Sequence, residues 1–583
     1  MQATRIRSGV AASRLLELGS GRWTATTVPT SSTKFSGIKS NIRITKQPKF
    51  QSRCFHTRQN TPIRPNLSTQ YARLLLGFVP VLFFLSSLQN LEAESPDKLD
   101  DVFERKIRLS EVKKHGPTSE RPWVIRGVKV YDITDWIQGH PGGEVILRAA
   151  GGSVDPYWKI FSIHQKQEVY DILEMYLIGA VDPQDLKDGA VPSDNIEDPF
   201  EHDPKRDPKL HQHTSRPCNA ETPGEALATF ITPNNIFYVR NHMWVPSLPP
   251  NTHLTIELPD GEEVTYTLKE LKEKFEQHTI TSTLQCSGNR RAHMTSSCGN
   301  TSGLQWQVGA IGTATWTGPY LRDILSHAGF PVSSPPPDAK HIQFLGHEAY
   351  GSSIPVQKAL SPNGDVIIAH SMNHQPIPKD HGYPLRVIVP GHVAARSVKW
   401  LKSIVISDEE STSQWQRRDY KCFGPNEVGS ENWETAKSIQ EMPVNSAVTS
   451  VTPRKEGGFL VKGWAYSGGG REIVRVDVST DDGKSWNQAT LEVPEANMGS
   501  KYWAWKQWQY TIDTPKGGST QSTSTEKEKM ILAVKATDEA YNTQPKDFQP
   551  IYNARGNLAI AWHRLPVEDA VSVAKKERGG WWR

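Results

Sequence analysis

Alternating apolar and polar positions run through several stretches of the chain and predict β-strands. Residues 123–132 alternate on both sides of Gly127, and residues 251–266 alternate on both sides of a Pro-Asp-Gly turn at 259–261. Each of these two ranges is therefore predicted to form a hairpin. Residues 279–285 are rich in β-branched side chains, which favour a strand.

The C-terminal quarter of the chain consists of short alternating segments separated by turns. Residues 459–466, 473–478 and 531–536 have the alternation of strands, and an Asp-Gly pair at 482–483 has the composition of a hairpin turn. Repeated short strands with turns between them are typical of an immunoglobulin-like β-sandwich. We therefore predict such a sandwich for residues 439–575.

A helical pattern and a polar linker complete the prediction of a multidomain α+β protein. Residues 268–275 have the apolar spacing of a helix. Residues 183–215 are rich in Pro, Asp, Lys and His with almost no apolar side chains, which predicts a flexible linker. The length suggests roughly three or four domains. We expect a leader at residues 1–95 and a small α+β domain at 104–182. The linker follows at 183–215, a mixed α+β domain at 216–438, and the sandwich at 439–575.

The N-terminal segment has the composition of a mitochondrial transit peptide. Residues 1–73 carry thirteen Lys and Arg and a single acid, Glu17, together with many Ser and Thr. An apolar run from Leu74 to Leu85 follows, and it is shorter than the ~20 residues that a spanning helix needs. A transit peptide followed by a stop-transfer segment predicts delivery to the mitochondrial intermembrane space. The alternatives are an apolar run that stays as a membrane anchor and a basic arm for nucleic acid; we expect no nucleic-acid partner.

The cysteine spacing excludes two common kinds of site. No Cys-x-x-Cys pair occurs among the five cysteines, which argues against a disulfide scaffold and against a zinc ribbon. Residues 284–291, however, bring one cysteine, one glycine and two arginines together. A Cys286 thiolate can ligate a soft metal, and the guanidiniums of Arg290 and Arg291 can hold an oxyanion. The competing interpretation is a buried structural thiol beside two solvated arginines.

Two histidines of the small α+β domain have the surroundings of haem ligands. His140 begins a His-Pro-Gly-Gly sequence, in which proline fixes the backbone and the glycines let it pass close to a flat ligand. His164 follows 24 positions later, so the two side chains can bind one iron from opposite sides. On this motif, residues 105–182 resemble the cytochrome b5-like domain. The resemblance implies a b-type haem that carries electrons and has no open position for oxygen.

The remainder of the chain resembles the sulfite oxidase family, and the resemblance extends from about residue 104 to 570. In this chain the haem domain precedes the molybdenum domain. The eukaryotic nitrate reductases share both modules in the opposite order, so the order here favours the sulfite oxidases. The segments that carry the resemblance are 237–242, 286–291, 303–306, 349–354, 380–386 and 395–400.

The resemblance implies a molybdenum–molybdopterin cofactor. Cys286 matches the family's molybdenum ligand, and a thiolate suits a metal that a pterin dithiolene also binds. Glu348 is the acid nearest to a position where the family has an Asp in a longer loop. The positions that match cofactor contacts are Tyr238, Val239, Arg240, Asn241, His242, Cys286, Glu348, His381, Arg386, Ser397, Val398 and Lys399.

The resemblance also implies a site for a small oxyanion beside the metal. Guanidiniums bind such anions in a bidentate manner, and Arg240, Arg291 and Arg555 match the family's candidates. Trp306 matches a wall of the pocket. Tyr420 matches the active-site tyrosine, whose phenol can donate to the anion.

The activity implied by the resemblance is the oxidation of sulfite to sulfate. Electrons would pass through the haem to cytochrome c, in a homodimer formed through the C-terminal domain. The first alternative is a nitrate-reducing or other oxo-transfer enzyme on the same scaffold. The second is a haem electron carrier with a degenerate molybdenum domain, and the joint presence of Cys286, Arg240, Arg291 and Tyr420 argues against it.

Overall fold

The structure is a computed structural model. It describes residues 105–137, 140, 143–161, 164, 167–192, 198–224, 226–513 and 530–567, all within one compact unit of residues 93–583. The predicted leader, with its apolar run, lies outside the described residues. None of the described helices is long and apolar enough to cross a membrane.

The described helices are short, and strands dominate. The helix predicted at 268–275 is present as Leu268–Glu273, and it begins with a capping box between Thr267 and Glu270. A single π-helical turn, Trp415–Asp419, is also present. The α-helices are α1 (Leu109–Val112), α2 (Asp155–Ile160), α3 (Gln167–Glu174), α4 (Leu268–Glu273), α5 (Arg291–Cys298), α6 (Leu321–His327) and α7 (Val356–Leu360).

The strands belong to several separate sheets. In chain order they are β1 (Lys106–Ile107), β2 (Trp123–Arg126), β3 (Lys129–Asp132), β4 (Leu177–Val181), β5 (His211–Ser215), β6 (Cys218–Glu221), β7 (Val239–Arg240), β8 (His253–Glu257), β9 (Glu263–Thr267), β10 (His278–Gln285), β11 (Ile311–Gly318), β12 (His341–Gly346), β13 (Gly351–Pro355), β14 (Ile367–Ala369), β15 (Ser371–Met372), β16 (Gln375–Pro376), β17 (Arg386–Ile388), β18 (Leu401–Ser407), β19 (Asn445–Pro453), β20 (Phe459–Tyr466), β21 (Ile473–Ser479), β22 (Asn487–Gln488), β23 (Thr490–Leu491), β24 (Lys506–Ile512), β25 (Ile531–Asp538) and β26 (His563–Pro566).

The first sheet belongs to the small α+β domain and has the order β1-β4-β3-β2. The hairpin predicted around Gly127 is present, with Gly127 at φ +58° in its turn. A left-handed backbone at this position favours glycine. Behind the sheet, Tyr131, Ile133 and Leu173 form part of a buried apolar cluster.

The central region is built on one antiparallel four-stranded sheet and one mixed five-stranded sheet, in which β18 and β8 pair in parallel. One sheet has the order β10-β11-β15-β16 and another β13-β12-β18-β8-β9, while β14 pairs with β17. The predicted hairpin at 251–266 is β8 and β9, and the predicted strand at 279–285 is β10. The apolar cores of the two larger sheets bury most of their Ile, Leu, Val and Trp side chains.

The C-terminal region consists of two four-stranded sheets, in the orders β19-β20-β24-β23 and β22-β21-β25-β26. Many of their buried side chains, including Trp508, form one apolar cluster, while Trp464 and Tyr466 of β20 belong to a second. The hairpin turn predicted at 482–483 has both residues at positive φ. These features, with the α+β regions before them, confirm the predicted fold class.

The second half of the predicted linker differs from the prediction. β5 (His211–Ser215) is an edge strand of the sheet β5-β6-β7. Before it, Leu210 is buried, and the Arg206 guanidinium donates to both carboxylate oxygens of Asp380 at 2.9 and 2.8 Å. The composition of this segment did not predict its regular structure because the segment is held by long-range polar contacts rather than by its own apolar residues.

Four side chains join the small α+β domain to the central region; we call them the aromatic clamp. They are Arg148 and Phe161 of the small domain, Phe200, and Trp244 of the central region. Trp244 has its ring centroid 6.2 Å from that of Phe161 and 6.4 Å from that of Phe200, and the Arg148 guanidinium carbon lies 4.6 Å from the Trp244 ring. The contact therefore combines aromatic packing with a cation–π interaction.

Candidate active site

Cys286 lies at the end of β10, where the chain turns sharply. Its amide donates to the carbonyl of Ala310 at 2.9 Å, and its side chain is buried. An added Cβ at Gly288 would meet the Arg291 guanidinium at 2.5 Å, so the glycine is required for the arginine to fold back over the turn. Arg290 adopts φ +67°, which separates its side chain from that of Arg291.

One cavity contains the side chain of Cys286 and nearly all of the predicted cofactor contacts. Val239 is the exception, because it is buried in an apolar cluster with Cys218 and Ala220. The predicted residues that line the cavity are Tyr238, Arg240, Asn241, His242, Cys286, Glu348, His381, Arg386, Ser397, Val398, Lys399 and Tyr420. Residues from six separate segments thus meet at one site.

The cavity has buried cations whose partners are mainly neutral. Lys399 Nζ donates to the carbonyls of Asp380 and Arg240 at 2.9 and 3.1 Å, and it also contacts the side chain of Asn241. Burial, with the nearby Arg386 charge, lowers the pKa of Lys399 to about 7. Asp380 lines the same cavity, but its carboxylate pairs with Arg206 outside it.

Arg386 is the second buried cation of this wall. Its guanidinium donates to the carbonyls of His381 and Ser397, both at 3.1 Å. Burial lowers the pKa of Arg386 to about 10 and that of His381 to about 4. A wall of cations held by carbonyl groups attracts an anionic ligand such as a phosphate.

Glu348 brings an unpartnered acid to the same cavity. Its side chain is buried, and Oε2 has no hydrogen-bond partner among the described residues. Burial raises the pKa of Glu348 to about 8. A buried polar atom without a partner indicates a polar ligand. Together with the cations and the Cys286 thiol, it fits a group that has a soft metal, polar ring nitrogens and a phosphate.

The three predicted substrate arginines are brought together, although they differ in how they are held. Arg240 lines the cavity and donates to the carbonyl of Asn241 at 2.7 Å. Arg291 donates to the carbonyls of Leu304 at 2.7 Å and Arg555 at 2.8 Å. Burial lowers the pKa of Arg291, the charge of Cys286 opposes this shift, and the charges of Arg555 and Arg240 add to it. Of these three arginines, Arg240 lines the cavity, whereas Arg291 and Arg555 lie beyond its lining in the described part of the chain and influence it through their charges.

Asp419 is a site residue that the sequence reasoning missed. Its carboxylate pairs with the Arg555 guanidinium and thereby fixes it beside Arg291. The sequence offered one signal for Asp419, which is that it directly precedes Tyr420, a residue matched by the family resemblance. Nothing in the local pattern points from Asp419 to Arg555, which is 136 positions away.

Tyr420 faces into the cavity beside His242. Its hydroxyl lies 3.1 Å from His242 Nε2. Burial raises the pKa of Tyr420, so the phenol keeps its proton. Burial also lowers the pKa of His242 well below its usual value, with further lowering by Arg240, Lys399 and Arg555. A protonated phenol beside a neutral imidazole can donate to an anion in the cavity.

Trp306 does not occupy the predicted position in the cavity wall. It is buried in the apolar cluster that includes Cys286, and its ring lies edge-on to His213 with centroids 4.9 Å apart. It is absent from the cavity-lining residues in the described part of the chain.

His140 and His164 face each other across a second cavity in the small α+β domain. Their ring centroids are 6.2 Å apart and the ring planes differ by 10°. Because a metal–imidazole bond is about 2 Å long, ligands on opposite sides of one metal would have ring centroids roughly 6 Å apart. The predicted Pro141 and Gly142 lie outside the described residues. The pair therefore has the spacing of two axial haem ligands.

Three family models match the regions just described. Residues 108–182 match the cytochrome b5-like heme/steroid binding domain, residues 242–415 the oxidoreductase molybdopterin binding domain, and residues 436–570 the Mo-co oxidoreductase dimerisation domain. Fold and site thus define a molybdopterin-dependent oxidoreductase with a cytochrome b5-like haem domain. Its cofactors are the molybdenum–molybdopterin group and haem b.

Curated relatives then identify the family. The sulfite oxidase of Gallus gallus is 44% identical over 467 residues, which cover 78% of this chain and 98% of that protein. The mitochondrial sulfite oxidase of Mus musculus is 40% identical over 508 residues, which cover 85% and 88%. The chain belongs to the sulfite oxidase family.

A solved structure supports the fold alone. The sulfane dehydrogenase SoxCD from Paracoccus pantotrophus has a TM-score of 0.50 and 24% sequence identity. The match covers 66% of this chain and 95% of that chain.

Proposed function

We propose that this chain oxidises sulfite to sulfate and passes the electrons to its haem domain. One observation carries the proposal: the Cys286 thiol opens into a cavity lined by Arg240, Lys399 and Tyr420, and the charges of Cys286 and Arg291 interact. The membership of the chain in the sulfite oxidase family supports sulfite as the anion. The site suits a small oxyanion because a guanidinium group and a protonated phenol line the same cavity as the thiol.

The residues of the cavity fit the cofactor that the family implies. Cys286 would hold the molybdenum, while Arg386 and Lys399 would hold the phosphate, and Glu348 and His381 would contact the pterin. When bound, the cofactor supplies the oxo-transfer and redox chemistry. The protein provides a dry, cationic site that excludes larger ligands.

The residues around the Cys286 thiol have different roles in binding the anion. Arg240 and Arg291 neutralise the charge of the anion, and the Tyr420 phenol donates a hydrogen bond to it. Asp419 pairs with the Arg555 guanidinium and holds it in place. The substrate would therefore be oriented by guanidiniums that are themselves fixed by backbone carbonyls.

We propose cytochrome c as the electron acceptor, a homodimer through the C-terminal domain, and the mitochondrial intermembrane space as the location. The match to a dimerisation domain supports the homodimer. The mouse relative is named a mitochondrial enzyme, and the basic leader agrees with that compartment. His140 and His164 would hold the haem iron.

The test is a comparison of sulfite and nitrate as substrates of the purified enzyme, with cytochrome c and with an artificial acceptor. We expect turnover with sulfite only. Cys286→Ser is expected to lower turnover at least about 100-fold while leaving the haem spectrum unchanged. Cys298→Ser, which changes a thiol outside the cavity, is the matched control and should retain activity. Nitrate turnover would support the first alternative, and iron without molybdenum would support a haem carrier.

A further inference from the structure

Arg396 is a fully buried arginine directly behind the wall of the cavity. It ends the turn Ala394–Arg396, and residues 397–399, which follow it, line the cavity. Its side chain has no accessible surface, and among the described residues no carboxylate pairs with it. A buried cation that is satisfied only by neutral groups is costly, so its retention calls for a specific role.

The Arg396 guanidinium ties together three separated segments. Nε and Nη2 donate to the carbonyl of Ile439 at 2.8 and 2.6 Å, and Nη1 donates to Ser352 Oγ at 2.9 Å. Nη1 also contacts Gln416 Oε1. This use of the planar fork is specific to arginine, because an ammonium group has no second, rigidly oriented nitrogen.

Gln416 passes this contact to the π-helical turn Trp415–Asp419. Its Oε1 also accepts from Ser352 Oγ at 3.2 Å and from the amide of Ser353 at 3.1 Å. Gln416 Nε2, in contrast, is buried and has no partner among the described residues. The side-chain amide is therefore oriented by its oxygen, and Arg396 is the charged donor to that oxygen.

Tyr420 follows the π turn directly and is held from the same side. Its carbonyl accepts from the amide of Ile439 at 2.9 Å and from Arg396 Nη2 at 3.5 Å. The Arg396 guanidinium carbon lies 5.9 Å from the centroid of the Tyr420 ring. An isolated π turn is an uncommon, less stable local structure that is often found at functional sites. It needs such outside contacts to stay in one conformation.

We propose that Arg396 is a positioning residue that fixes the π turn and so aims the Tyr420 phenol into the anion site. The contacts account for three features: the guanidinium joins three segments, the Gln416 amide is held by its oxygen, and the Tyr420 carbonyl accepts from Arg396. The proposal rests on the proposed function, since sulfite is the substrate used to test it. Arg396 itself does not touch the anion.

The first experiment is a double-mutant cycle with Arg396→Lys and Tyr420→Phe in the holoenzyme, measured by steady-state sulfite oxidation. Lysine keeps the charge and loses the fork. We expect Arg396→Lys to lower kcat/KM about 10- to 100-fold, because small displacements of a positioned group have effects of this size. It should alter kcat and KM in the same proportions as Tyr420→Phe. In the Tyr420→Phe background, Arg396→Lys should have no further effect.

The second experiment is independent of activity. Hydrogen exchange is measured over residues 415–420 in the holoenzyme, with Arg396→Lys and the matched control Arg418→Lys. Arg418 lies in the same turn, but its side chain is exposed and pairs with the exposed Glu434. We expect faster exchange in this segment for Arg396→Lys and unchanged exchange for Arg418→Lys.

Two results would overturn the positioning role. One is that Arg396→Lys lowers kcat/KM by the same factor in the Tyr420→Phe background as in the wild type, which would indicate a general structural effect. The other is unchanged exchange over 415–420. A wild-type enzyme that fails to oxidise sulfite would instead refute the proposed function, and the exchange measurement would still test Arg396.

Discussion

At the scale of single residues, the site is defined by ionisable groups that are buried without opposite charges. Lys399 and Arg386 donate to carbonyls, and Glu348 has an oxygen with no partner among the described residues. Low polarity makes each charge expensive and each electrostatic contact stronger. The cavity is thus prepared for a ligand that brings both negative charge and polar hydrogen-bonding groups.

Glu348 should make the stability of the cofactor-free protein depend on pH. Its pKa is raised by burial from 4.5 to about 8, so between these pH values the folded state holds a proton that the unfolded state has lost. Stability from this group is therefore greatest at low pH and is lost as the pH rises through about 8. One pKa unit corresponds to about 1.4 kcal/mol, so the loss is roughly 3–5 kcal/mol.

Urea unfolding of molybdenum-free protein at pH 6 and pH 8.5 measures this effect. Glu348→Gln cannot ionise and should lose less stability between the two pH values than the wild type. The charges of Glu348 and Lys399 shift each other's pKa, so the comparison is repeated in a Lys399→Met background, where Glu348 is the member of this pair that still titrates. Glu276→Gln, at an exposed acid, is the control. An identical pH dependence in wild type and Glu348→Gln would contradict the assignment.

At the scale of elements, one buried carboxylate fastens the sandwich to the central region. Asp365 precedes β14 and accepts from Trp503 Nε1 at 2.6 Å and from the amide and hydroxyl of Ser500 at 2.6 and 2.9 Å. The Tyr320 hydroxyl donates to it at 3.2 Å. The loop before β24 is therefore held by an acceptor from a different sheet, and this fixes the sandwich next to the strands that position Cys286.

Asp365→Asn should lower the free energy of unfolding by about 1–3 kcal/mol, because one buried acceptor becomes a donor that faces other donors. Asn tolerates the positive φ of Asp365, so the backbone is not strained by the change. Asp482→Asn is the matched control, since Asp482 also has positive φ but is exposed and pairs with Arg564. Chemical denaturation measures the free energy of unfolding of both variants. Equal values would contradict the proposal that Asp365 fastens the sandwich to the central region.

At the scale of the whole molecule, the aromatic clamp joins the haem ligands to the active site. Phe161 accepts at its carbonyl from His164 Nδ1 at 3.1 Å and packs on Trp244. Trp244 is two residues from His242, whose imidazole contacts the Tyr420 hydroxyl. The contact therefore places the small domain against the edge of the central cavity.

Trp244→Ala should slow cytochrome c reduction several-fold without changing sulfite oxidation with an artificial acceptor that reacts at the molybdenum site. The reason is that loss of the ring removes the packing and the cation–π contact that hold the two regions together. Trp486→Ala, in the sandwich, is the control and should leave both rates unchanged. Equal loss with both acceptors would show that Trp244 acts on the active site itself.

Local patterns determined much of this protein. The hairpins around Gly127 and at 251–266, helix α4 and strand β10 follow from alternation, capping and β-branched residues, which act over a few positions. The segments that carry the family resemblance supply most of the residues that line one cavity. Their roles as cofactor contacts stay predictions.

Only the tertiary structure decided which distant groups meet. Arg291 and Arg555 are 264 positions apart, and Arg206 and Asp380 are 174 positions apart, yet each pair is in contact. It also showed that Trp306 is buried in the apolar cluster that contains Cys286 and that residues 211–215 form strand β5. Sequence patterns report the preferences of neighbouring residues, whereas burial, pKa shifts and ion pairs arise from groups that the completed fold brings together.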